Sequence, residues 1–194
     1  MTKGDWQKIP GWSDDIPEFY DEAILRVPEG GLVVEVGVAY GRSLAYLAEI
    51  APAATRLVGV DSWAFFYGQE RLDFAVLSAF PSPFHACNDY LRRYAPSGRC
   101  CLQWGRSVDV AKGYEDESID LVFIDGAHDY GNVSADIAAW LPKVKPGGIV
   151  SGHDYSKAIF PGLVRAVTEA FGEGRVTVSG KGSAITGPVW WTMK

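Results

Sequence analysis

The chain is predicted to fold as an α/β sandwich, a mostly parallel sheet with helices on both faces. Three observations predict it. Short apolar runs recur at Leu32–Val36, Arg56–Asp61, Arg99–Trp104, Ile119–Ile124 and Gly148–Ser151, and stretches of helical spacing separate them. Runs of that length, rich in branched residues and alternating with helices, are the pattern of parallel strands buried on both faces. The first run also passes through Gly37 and Gly41 into Ser43, Leu44, Leu47 and Ala48, which gives strand, glycine turn and helix in succession. Finally, aspartates and two of the three histidines fall just beyond strand ends, where sheets of this kind bind ligands.

Taken in order, residues 1–30 precede the sheet. They are expected to form an N-terminal cap on a single domain spanning 1–194. Asp15 and Glu18 have capping-box spacing, so a helix from about Ile16 to Arg26 is expected. Two places are open to it, over the ligand cleft or against the sheet edge. Glu35 lies inside the first strand, where a carboxylate is costly unless it finds a partner. The turn after it lets a ligand touch backbone, and the following helix N-terminus favours an anionic group. Its glycines are four residues apart, and Ala39 stands where the dinucleotide fingerprint carries its second glycine. That argues against a nicotinamide oxidoreductase.

Asp61 ends the second strand. Its two acceptor oxygens suit neighbouring ribose hydroxyls, and a turn or cap aspartate is the other reading. The connection from Ser62 to His85 is long and aromatic, with Trp63, Phe65, Phe66, Tyr67, Phe74, Phe80 and Phe84. A helix is expected from about Gln69 to Ala79 and another from about His85 to Tyr94, with Pro81 and Pro83 between. Trp63 to Tyr67 are expected near the ligand and Phe74 in the core. After the third strand, Gly105-Arg106-Ser107 opens a short helix running to Lys112. Ser107 suits its N-cap.

The fourth strand leads into Asp125-Gly126-Ala127-His128-Asp129-Tyr130, and the fifth into Gly152-His153-Asp154-Tyr155. A His/Asp cluster on one rim can take a proton or hold a divalent metal. Alternatively, His153 and Asp154 bond the backbone and shape the rim. Helices are expected at about Gly131–Leu141 and Phe160–Phe171. Strands are expected at Arg175–Ser179 and Val189–Met193, joined by a Gly/Ser-rich loop. Trp190 and Trp191 would then point to opposite faces.

Composition narrows the function. The chain has 194 residues, enough for a full-size core, and a net charge of −6, which disfavours nucleic acid. No apolar run reaches the ~20 residues of a membrane span, and the N-terminus lacks a secretory apolar region. Cys87, Cys100 and Cys101 lack metal-ligand spacing, which fits reduced thiols in a cytoplasm. Oligomeric state is left open.

The motifs Glu35-x-Gly37-x-x-x-Gly41, Ile124-Asp125-Gly126-Ala127-His128-Asp129-Tyr130, Asp136, Trp140-Leu141-Pro142, Lys145-Pro146-Gly147-Gly148 and Gly152-His153-Asp154 together resemble one family. It is the small class I S-adenosylmethionine (SAM) methyltransferase family related to macrocin and catechol O-methyltransferases and cephalosporin hydroxylase-like proteins. The resemblance runs from about Leu32 to Tyr155. It implies a Rossmann-like three-layer sandwich with a seven-stranded sheet and an antiparallel last strand. It implies SAM binding by Glu35, Gly37, Tyr40, Gly41, Arg42, Ser43, Asp61, Ser62, Gly105, Ser107 and Asp125, with Ser107 at the base and Trp104 or Arg106 nearby. It further implies methyl transfer to a hydroxyl of a small-molecule acceptor, such as a sugar or phenol. The implied metal ligands for Mg or Mn are Asp125, His153 and Asp154. His128 stands where catechol-type relatives carry a lysine base, and a neutral imidazole there would accept the hydroxyl proton. A non-catalytic SAM-binding module is the rival reading.

Overall fold

The computed structural model describes residues 3–11, 15–64, 79–95, 98–183 and 185–194. The strands are β1 (Leu32–Val36), β2 (Arg56–Asp61), β3 (Cys100–Trp104), β4 (Ile119–Ile124), β5 (Val144–Gly152), β6 (Thr177–Ser179) and β7 (Val189–Met193). The described α-helices are α1 (Ile16–Ala23), α2 (Arg42–Ile50), α3 (Pro83–Tyr94), α4 (Ser107–Val110), α5 (Tyr130–Trp140) and α6 (Pro161–Phe171). The strands form one sheet in the order β3-β2-β1-β4-β5-β7-β6. β1 to β5 are mutually parallel, and β7 runs antiparallel between β5 and β6. This is the Rossmann-like class I methyltransferase sheet that the motifs implied.

Alternation along the strands divides the core in two. Val33, Leu57, Leu121 and Phe123 face one side and pack with Phe19, Tyr20, Leu44, Leu47 and Leu91 of α1, α2 and α3. Val34, Val36, Val60, Val122 and Ile124 face the other and pack with Val133, Ile137, Trp140, Leu163 and Val167 of α5 and α6. Trp190 belongs to the second core and Trp191 packs against the first, the opposed faces expected of an extended pair. The chain leaves β1 in one direction toward β2 and β3, then returns to β4 on the other side of β1. That reversal opens a crevice at the carboxyl ends of β1 and β4.

Several boundaries shift for local reasons. α1 ends at Ala23 and continues as a 3-10 turn over Ile24–Arg26. Asp15 makes no side-chain cap bond, so the expected capping box does not form. α1 packs on the sheet face through Phe19 and Tyr20 around Phe123, with ring centroids 5.7 and 5.1 Å away. α3 begins at Pro83, because proline suits the first helical position and Ser82 caps it. β5 starts at Val144. Pro146-Gly147-Gly148 bulges out, with Gly147 at φ 75°, and the ladder re-enters after a register shift. β6 starts at Thr177, because Glu173–Arg175 close a 3-10 turn first. The helix expected from about Gln69, and Phe65, Phe66, Tyr67 and Phe74, lie outside the described residues. Among the described residues no helix is long and apolar enough to cross a membrane.

Candidate active site

The glycine turn is built by close approach. Gly37 has φ 87°, and a Cβ there would lie 2.0 Å from the Asp125 carbonyl oxygen. Only glycine lets the end of β1 pass so near the end of β4. Gly41, at φ 89°, is the N-cap of α2.

Beneath the turn Glu35 is fully buried. It accepts hydrogen bonds from Tyr20 Oη (2.9 Å) and Ser43 Oγ (2.5 Å), the partners that an acid inside a strand requires. Burial pushes its pKa up to about 7, against the opposing pull of those two bonds. The sign of the linkage follows. The folded state holds this proton to about pH 7, whereas an unfolded glutamate loses it near 4.3. Stability therefore falls as pH rises from ~4.5 to ~7, by roughly 3 kcal/mol from this group. Glu35→Gln is expected to remove that decline, read as the difference between variant and wild type in urea unfolding at pH 5 and pH 8. Parallel pH dependence in the two proteins would refute it.

Asp61 ties the turn together. Its Oδ2 accepts from Ala39 N–H at 2.9 Å and its Oδ1 from Trp63 N–H at 2.7 Å. The Trp63 indole N–H returns to Ala39 O at 2.8 Å. Ala39 and Trp63 both sit at positive φ, 50° and 44°, a strained conformation held by this knot. The turn role is thus real. The backbone N–H groups of Ser62 and Val38 also bear on this carboxylate, so a ribose hydroxyl would share its oxygens with the turn.

Two neighbouring cavities open here. One of about 560 Å³ is lined by the glycine turn, Asp61, Asp125, His128, His153, Asp154, Phe160, Ile185 and Thr186, among others. The other, about 470 Å³, is lined by Asp61, Ser62, Arg106, Ser107, Asn132 and Asp136, among others. Gly37, Asp61, Ser62, Gly126 and Ala127 line both. Tyr40, Arg42 and Ser43 line the first. Tyr40 is fully buried, and Arg42 Nη1 donates to Gly11 O at 2.7 Å. Glu35 and Gly105 line neither cavity. Gly105 N–H instead bonds Asp61 O at 3.0 Å. Ser107 is the first residue of α4, not its cap. It accepts the Trp140 indole N–H at 2.7 Å and bonds buried Asp136. Trp104, 60% exposed, packs against Phe84 at 4.9 Å and Trp63 at 6.2 Å, and none of the three lines either cavity.

The His/Asp cluster forms, with one exchange of partners. Asp125, His128 and Asp154 offer ligand atoms within 4.8 Å of one another. His128 Nε2 lies 2.9 Å from Asp154 Oδ2 and 3.8 Å from Asp125 Oδ1, and its ring packs on Phe160 at 4.6 Å. Asp154 is held at φ 64° with Gly187 N–H on its Oδ1 at 2.8 Å. His153, expected in the metal set, is only 2% exposed and turns its Nε2 to Asp15 Oδ1 at 3.0 Å. Asp129, expected beside the cluster, instead caps α5 by accepting from Asn132 N–H.

The charges follow from this packing. Burial works against a charged His128, but the Asp125 and Asp154 carboxylates outweigh it and push its pKa up to about 9. His153 rises to about 11 against the same penalty, under Asp125, Asp15 and Asp154. Burial acts upward on Asp154, and the two imidazoles overturn it and hold the carboxyl well below its usual range. The two carboxylates thus favour the protonated imidazole over the neutral form expected near pH 7. Asp15, Phe160, Ile185 and Thr186 were missed as site residues. The unpaired charge of a buried His153 is the signal that calls for an acid such as Asp15, and no sequence spacing points to it.

A family described as "Methyltransferase domain" matches residues 34–155. The uncharacterized protein y4gI of Sinorhizobium fredii is 30% identical over 130 residues, which is 63% of this chain and 13% of that much longer protein. An O-methyltransferase of Bacillus cereus solved with SAH is 16% identical, with TM-score 0.68, covering 100% of this chain and 92% of that one. The O-methyltransferase TomG of Streptomyces achromogenes, solved with SAM and involved in tomaymycin synthesis, is 16% identical with TM-score 0.68, covering 100% and 90%. At these identities the two structures share the fold.

Proposed function

Since the chain belongs to the methyltransferase domain family over residues 34–155, we propose that it transfers the methyl group of SAM to a hydroxyl oxygen of a small-molecule acceptor. One observation carries this reading: a single cavity is lined both by the glycine turn with Asp61 and by the Asp125–His128–Asp154 cluster, and a second shares the turn-side residues Gly37, Asp61 and Ser62 with it. SAM would lay its amino-acid end on the bend at Gly37–Gly41 and the start of α2, and its ribose on Asp61. Its adenine would lie toward Ser62, Ser107 and Trp104. The sulfonium methyl would then face the cluster, with Phe160, Ile185 and Thr186 walling the acceptor's side.

The chemistry is an in-line displacement. The acceptor oxygen attacks the methyl carbon, the carbon–sulfur bond breaks, and the cofactor leaves as a neutral thioether. The hydroxyl proton would go to the unprotonated form of His128, which lines the same cavity; its Nε2 is buried against Asp154 Oδ2 at 2.9 Å, so the ring must turn to receive it. Asp125 and Asp154 offer oxygen donors of the type Mg or Mn takes, with water completing the shell. An ion held there would supply positive charge that lowers the hydroxyl pKa. His128 cannot both ligate that ion through Nε2 and take the proton there, and the reading assigns it the proton.

The test uses methyl-labelled SAM with phenol, catechol and sugar acceptors, each with Mg, Mn or chelator. Transfer of label to an oxygen with one SAH formed per product is expected. SAM binding without transfer to any acceptor would favour the non-catalytic module.

A further inference from the structure

We propose that Asp15 is a positioning residue of this site: it fixes the His153 ring, which in turn holds the Asp125 and Asp154 carboxylates beneath the acceptor. The inference rests on the methyl-transfer reading.

His153 is packed behind the cluster at 2% exposure. Its Nδ1 lies 3.8 Å from Asp125 Oδ1 and 3.6 Å from Asp154 Oδ2. Those distances are too long for hydrogen bonds and leave the ring's rotation undetermined. The short contact is on the other nitrogen, where Nε2 donates to Asp15 Oδ1 at 3.0 Å. A carboxylate only accepts, so this bond fixes which edge of the imidazole faces which acid. A metal-ligand shell or catalytic cluster is ordinarily oriented by such outer partners.

The position of Asp15 suits the role. It lies 138 residues from His153, and the helix it precedes is anchored under the site. Tyr20 bonds Glu35 directly below the glycine turn, and Phe19 and Tyr20 pack on Phe123. Asp15 stands where a helix cap belongs yet makes no cap bond. Its carboxylate is turned to the rim instead. Gly180 closes over it from the β6–β7 loop, where a Cβ would come to 3.4 Å from Asp15 Cβ. The N-terminal segment thus contributes a side chain to the site as well as a wall, through Pro10 and Gly11.

The experiment compares Asp15→Ala and Asp15→Asn with wild type. It reads kcat and KM for the acceptor, SAM affinity, Tm, and the His153 ring signals in ¹H–¹³C NMR. Asp15→Ala is expected to lower kcat about ten- to a hundredfold, with acceptor KM and SAM affinity within about twofold of wild type and a displaced or broadened His153 signal. Asn keeps the accepting oxygen and is expected to restore most of kcat. A kcat for Asp15→Ala within about twofold of wild type would overturn the proposal. So would an unchanged His153 signal, or a loss that tracks Tm and SAM affinity and that Asn does not rescue. If the alanine variant does not fold, Asp15→Ser serves with the same expectations. A wild type that methylates no acceptor sinks the functional reading instead, and the His153 signal then reports separately on whether Asp15 holds the ring.

Discussion

Gly37→Ala is expected to abolish SAM binding and to lower Tm on the order of 10 °C. The new Cβ would lie 2.0 Å from Asp125 O, 2.3 Å from Asp125 C and 2.6 Å from Gly126 N, all backbone atoms. No side-chain rotation relieves such a contact, so β1 and β4 must separate at their tips. The left-handed conformation at φ 87° costs alanine a further 1–2 kcal/mol, roughly. Together these reach about 3 kcal/mol or more, and a chain of this size loses about 2–4 °C per kcal/mol. The spreading acts where the two cavities meet, so ligand binding goes with it. Gly147→Ala is the control. Gly147 also has positive φ, but nothing lies within 4 Å of its added Cβ. It should lose a little stability and keep SAM binding. Calorimetry and thermal melts decide, and a Gly37→Ala protein that melts and binds like wild type would contradict the architecture of the turn.

His128→Ala is expected to lower kcat by about 10²- to 10⁴-fold, the range of a lost general base, while SAM affinity holds. The stronger signature is in pH. With its pKa raised to about 9, His128 is protonated at neutral pH. The accepting form grows about tenfold per pH unit until the pKa is reached. Wild-type kcat/KM for SAM should therefore rise from pH 6 to about 9 and level off, whereas the His128→Ala profile should be flat. A wild-type profile flat over that range, or a variant within about threefold of wild type, would remove His128 from the reaction.

How far such a site can be read from sequence depends on the range of its contacts. Strand and helix patterning is local, and the seven strands, their faces and the opposed Trp190 and Trp191 were all legible. So was the rim, because parallel strands put their carboxyl ends on one side whatever their order. Partner choice was not legible. His128 and His153 are equivalent in spacing terms, each beside an aspartate at a strand end. What separates them is Asp15, brought in by the docking of α1 on Phe123. Ser107 looked like a helix cap because caps are local, and its bond to Trp140 comes from α4 packing beside α5 on one face of the sheet. The upward pull on the His128 pKa was not legible for a related reason. A histidine's ordinary pKa describes it alone, and two carboxylates from separate loops decide it here.

The most direct measurement is isothermal calorimetry on the purified chain with SAM, SAH and NAD in turn, each with and without Mg or Mn. Saturable one-to-one binding of SAM and SAH, with no heat from NAD, is the expected result. NAD binding in place of SAM, or no response to SAM at millimolar concentration, would contradict a cofactor seated between Gly37 and Asp61.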